Sequence, residues 1–69
     1  MAKVGDFYRG KDKDAVFVVV KELQNKILLR ILYFYKPNEI GNIINAPKNF
    51  FENNNDYEKL KYFLKKVLT

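Results

Sequence analysis

Between positions 15 and 35 nearly every side chain is apolar, interrupted only by Lys21-Glu22, Gln24-Asn25-Lys26 and Arg30. Five of the nine residues in 15–23 are β-branched or aromatic, which is strand composition. Gln24-Asn25 reads as a two-residue connection, because Asn tolerates the left-handed conformation of tight hairpin turns. Residues 26–35 are then the returning strand. Upstream, 6–9 is a short strand ended by Gly10, and Gly10-Lys11-Asp12-Lys13-Asp14 is a turn without an apolar residue. Downstream, Pro37 suits the second position of a turn over 36–39, and 40–45 returns as a fourth strand, weakened by Gly41.

The period changes after Asn45. Pro47 opens a short helical turn over 47–52 that carries Phe50 and Phe51 inward. Asn53-Asn54-Asn55 breaks the chain, and Asn55 with Glu58 resembles a capping box. Tyr57, Leu60, Phe63, Leu64, Val67 and Leu68 fall on one stripe at about 100° per residue, which predicts an amphipathic helix over 56–68. The expectation is one domain over 1–69 of α+β class, mainly β: a meander of about four strands followed by a C-terminal helix.

Both long strands are apolar on both faces. In the first, Val16, Val18 and Val20 alternate with Ala15, Phe17 and Val19. In the second, Ile27, Leu29, Ile31, Tyr33 and Tyr35 alternate with Leu28, Arg30, Leu32 and Phe34. A sheet with one solvated face shows polar residues on that face, so both faces here need cover. One helix and the curl of a barrel hide part of this surface, and what remains is an interface. Arg30 marks the face of Leu28, Leu32 and Phe34 as the one that meets solvent or a partner, leaving Ile31 for the core. Counted from Gln24-Asn25, Glu22 opposes Ile27 and Val19 opposes Arg30.

Composition narrows the chemistry. The 69 residues hold 13 Lys+Arg against 8 Asp+Glu, a net charge of +5, with no Cys, His or Trp. Thiol nucleophiles, disulfides and the usual zinc sites are excluded, together with most general-base catalysis. The acids are scattered over turns and element starts, and no phosphate-cradling glycine pattern occurs. We therefore expect no enzymatic activity, cofactor or metal. The longest apolar run, 15–20, is far short of the roughly 20 residues of a membrane helix, and Asp6 precedes any apolar stretch that would serve as a secretion signal. The expectation is a cytoplasmic protein that does not enter membranes. A domain this small, with no disulfide, gains burial by pairing with another copy, so a homodimer is a natural state.

The opening Lys3-Val4-Gly5-Asp6-Phe7-Tyr8-Arg9 resembles the start of small SH3-like and KOW-type modules. Asn45-Ala46-Pro47-Lys48, followed by a helix ending in Leu64-Lys65-Lys66, is similar in layout to chromodomains and the seven-kilodalton archaeal chromatin proteins. The resemblance implies a small SH3-like β-barrel that binds nucleic acid or protein without catalysis. The chain lacks the Trp of methyl-lysine cages and the extra first hairpin of the archaeal proteins.

Two sets of candidate residues follow. Lys59, Tyr62, Lys65 and Lys66 share the outer half of the expected helix, cations flanking an aromatic ring, as a DNA or RNA surface requires. The same residues also serve a plain role, lysines opposing the helix dipole in its last turn. Arg9 and Arg30 are further phosphate-binding candidates, Arg30 equally a rim residue or a snorkelling side chain. The second set is Leu28, Leu32 and Phe34, a protein interface for a second copy or another protein. The leading expectation is a basic nucleic-acid-associated module; the alternative is a protein-interaction or self-associating accessory protein of the kind phages and mobile elements encode.

Overall fold

The strands reverse at the polar turns, and a computed structural model, describing residues 2–12 and 14–60, shows five of them. They are β1 (Phe7–Gly10), β2 (Ala15–Glu22), β3 (Lys26–Phe34), β4 (Ile43–Pro47) and β5 (Tyr57–Leu60). All neighbours are antiparallel, in the order β4-β3-β2-β1-β5. Before β1, Gly5 adopts a φ of +93° that a side chain would resist, and its N–H donates to the Val19 carbonyl at 2.8 Å. A single 3-10 turn, Pro37–Glu39, links β3 to β4.

The hairpin of β2 and β3 is central, and two bulges set which side chain faces where. Glu22 opposes Ile27 as counted from the turn. Val20 is then an extra residue on β2, so Arg30 opposes Val18 and not Val19. A second shift makes Leu32 the extra residue on β3, and Ala15 pairs with Phe34. The first shift pairs Val19 with Leu29 on the side of Phe17 and Ile31, and the second brings Phe34 to that side opposite Ala15.

That side is the core. Tyr8, Ala15, Phe17, Val19, Ile27, Leu29, Ile31 and Ala46 are buried there, with Ala2 and Phe51 packed on them. The cover is the aromatic segment after β4. Phe51 stacks on Tyr8 with centroids 3.8 Å apart and planes nearly parallel, and Tyr57 meets Phe17 at 5.8 Å, Phe50 at 5.5 Å and Phe51 at 5.7 Å. Rings offer large apolar area at low entropy cost, so a short segment roofs a small sheet.

Several expectations are corrected. No α-helix forms among the described residues, so the fold is mainly β and not α+β. Tyr57–Leu60, expected as the first turn of the helix over 56–68, is β5 and pairs with β1. Local helical periodicity lost to tertiary pairing: as a strand this segment covers the bare edge of β1 and sets Tyr57 among the rings. The rest of that expected helix lies outside the described residues. The expected closed barrel is an open sheet, with β4 and β5 at opposite edges. Among the described residues β5 pairs with β1 alone, and no strand joins it to β4. The fourth strand starts at Ile43 and not at 40, because Gly41 turns the chain at a φ of +93°. The helical turn over 47–52 appears as hydrogen-bonded turns, Phe50 N–H to Pro47 O and Asn53 N–H to Asn49 O, while Pro47 itself closes β4.

Candidate functional site

The face of the sheet opposite the core is the candidate site. Side chains on a strand alternate and directly paired residues share a side, so the register identifies this face residue by residue. Phe7 pairs with Val18 and Leu60, Arg9 with Val16 and Glu58, Arg30 with Val18 and Ile43, and Lys21 with Leu28. Val16, Val18, Val20, Leu28 and Leu32 form its half-buried centre. Ile43 and Tyr33 are more open, at 45% and 50% exposure. Among the described residues, every fully buried side chain belongs to the cluster on the other side.

Charge on this face is one-sided. Lys21 and Arg30 lie beside Leu28, and Lys26 joins them two residues along β3 and opposite Pro47. The Arg30 guanidinium donates to the Gly41 carbonyl at 3.1 Å, which anchors it along the rim. Arg9 is held across the β1–β5 pair by Glu58, its Nε 3.1 Å from Oε1 and its terminal nitrogen closer still. Glu58 is the one carboxylate among the described strand residues on this face. An Arg–carboxylate pair this exposed orients the side chain more than it stabilises the fold.

The remaining candidates are dispersed. Lys59 opposes Tyr8, on the other side of β5 from Glu58, with its ammonium 3.5 Å from Asp6. It shares no face with Arg9 and Arg30. Tyr62, Lys65 and Lys66 lie outside the described residues. Of Leu28, Leu32 and Phe34, the first two are on the outer face. The bulge at Leu32 turns Phe34 to the core side, where it packs against the buried cluster opposite Ala15. The single-residue count along β3 therefore misplaces Phe34.

The sequence reading overlooked Lys21, Lys26, Phe7 and Ile43. Parity pointed to Lys26, which is two residues from Leu28. Lys21 needed the Val20 bulge, and Phe7 and Ile43 needed the pairing of β1 and β4 onto the hairpin. Elsewhere, among the described residues, no three Asp or Glu side chains are placed to hold a metal ion, and no helix is long and apolar enough to cross a membrane. Comparison of the chain with protein families, curated proteins and solved structures found no match.

Proposed function

We propose that this protein is a non-enzymatic binding module that docks a partner protein on the outer face of its sheet. The partner presents an apolar centre flanked by carboxylates. One observation carries this reading: among the described strand residues, the aliphatic centre of that face is bordered by Lys21, Lys26, Arg30 and Arg9 against a single carboxylate. Aromatic anchors and arginines at the edge of an apolar patch are what protein interfaces favour. Nucleic acid fits the same cations less well. Bases stack on rings, whereas Val16, Val18, Val20, Leu28 and Leu32 are aliphatic and the rings of Phe7 and Tyr33 lie on separate strands.

The test is a photo-reactive residue at Leu28 of the full chain, with retention on single-stranded and duplex DNA measured in parallel at two salt concentrations. The expected result is cross-linking to a discrete protein that Arg30→Glu and Val18→Lys both abolish while circular dichroism stays native. Retention on DNA that falls steeply with salt and is lost in Arg30→Glu, without protein capture, would replace the partner protein with nucleic acid.

A further inference from the structure

We infer that the edge of β4, which no strand covers among the described residues, is a self-association edge, on which a second copy of this chain pairs antiparallel about a two-fold axis through Ile44. This goes beyond the docking role of the outer face and uses backbone groups that role leaves untouched.

The hydrogen bonds show which groups the edges offer. Ile31 N–H donates to the Asn42 carbonyl at 2.9 Å, and the Ile31 carbonyl accepts from Gly41 N–H at 2.7 Å. Alternation along an antiparallel ladder then makes Leu29–Ile44 and Ile27–Ala46 the bonded pairs, so the backbone of Ile43 and Asn45 faces outward. At the opposite edge, Lys11 N–H donates to the Asp56 carbonyl at 2.8 Å. The same alternation directs the backbone of Tyr57 and Lys59 outward there.

Symmetry separates the two edges. A two-fold axis normal to the sheet preserves each face, so it brings together only residues of equal parity. On β5, an axis at Tyr57 sets Asp56 against Glu58 of the second copy. An axis at Glu58 or at Lys59 sets that residue against itself. Each of these registers opposes like charges, which is the means by which natural sheets protect an edge. On β4, no residue of Ile43–Pro47 is charged, and Ile43 is 45% exposed.

Gly41 and proline then select the register: with the axis at Ile43, Asn45 would meet Gly41, whose N–H is already given to the Ile31 carbonyl. With the axis at Asn45, Ile43 meets Pro47, which has no N–H to return. With the axis at Ile44, Ile43 meets Asn45 of the second copy, and both outward-facing residues exchange bonds on each side of the axis. Ile44 then faces itself at the close spacing of a non-bonded pair, about 4.5 Å between Cα atoms. An edge contact of this length belongs with small interfaces, so the dimer is reversible and concentration-dependent.

Light scattering on the full chain across a concentration series reads the mass, with Ile43→Lys and Asn45→Lys as edge variants and Lys59→Ala as the control on β5. The expected result is a mass rising toward a dimer for the parent and Lys59→Ala, and a monomer with native circular dichroism for both edge variants. The chain has no Cys, so Ile44→Cys reports the register: oxidation should form a disulfide-linked dimer faster than it does for Asn45→Cys. A parent that stays monomeric at its highest soluble concentration overturns the inference. A dimer dispersed by Leu28→Glu also overturns it, because that pairing would run through the outer face, which Ile43 and Asn45 border as well.

Discussion

Leu28 and Leu29 are adjacent, chemically identical, and end in different surroundings. Leu29 is 1% exposed beneath the aromatic segment, whereas Leu28 lies half-buried on the outer face among Lys21, Lys26 and Arg30. The same contrast runs along the whole hairpin, Phe17 and Val19 on one side against Val16 and Val18 on the other. Apolar side chains alone therefore do not define the core of this sheet. What lies over them does, and that is the ring cluster of Phe50, Phe51 and Tyr57 on Tyr8 and Phe17.

The most direct way to break the contrast is to remove the cover. Phe51→Ala should cost about 3–5 kcal/mol, the usual range for truncating a buried ring. For so small a domain that is most of its stability. Urea unfolding followed by tyrosine fluorescence measures it, and a loss under about 1 kcal/mol would mean that the core side is roofed by something other than this stack.

A paired truncation sharpens the comparison. Leu29→Ala should destabilise by about 2–5 kcal/mol and leave a cavity. Leu28→Ala, one position away, should cost no more than about 1 kcal/mol, since its site is already in part solvated. Equal losses at the two positions would show that both faces are covered in solution.

The smallest expected effect is alkaline. Tyr8 titrates above the usual 10.0, first because burial penalises the phenolate and then because Asp6 and Glu52 repel it. Tyr57 is raised by burial, then by Asp14 and Asp56. Above pH 10 the unfolded chain loses these protons while the folded protein retains them, so the unfolded state gains. Stability should be level up to about pH 10 and fall as pH rises through the folded values. Thermal melts between pH 8 and pH 11 should show the drop, and Tyr8→Phe should reduce it; an unchanged slope in that variant would place the titrating group elsewhere.

Much of the sheet was legible in the residues. The hairpin turn at Gln24-Asn25, the strand character of 15–23 and 26–35, and the burial of Ile31 all follow from composition and a period of two. The doubly apolar hairpin also announced a second apolar face outside the core, and Arg30 marked which one. Local pattern failed where two structures compete for the same residues. Tyr57, Glu58, Lys59 and Leu60 fit a helical stripe, and only the presence of an unpaired β1 edge, 47 or more positions away, makes them a strand. The bulges at Val20 and Leu32 were equally hidden. Each is a one-residue adjustment between two strands, with no signature in either strand alone, yet together they send Phe34 to the core and bring Lys21 beside Leu28. The sequence by itself determined that this chain would carry apolar side chains on both sides of a β-hairpin. Tertiary pairing decided which side became the core, because register and cover depend on contacts between segments far apart along the chain, and no local period encodes them.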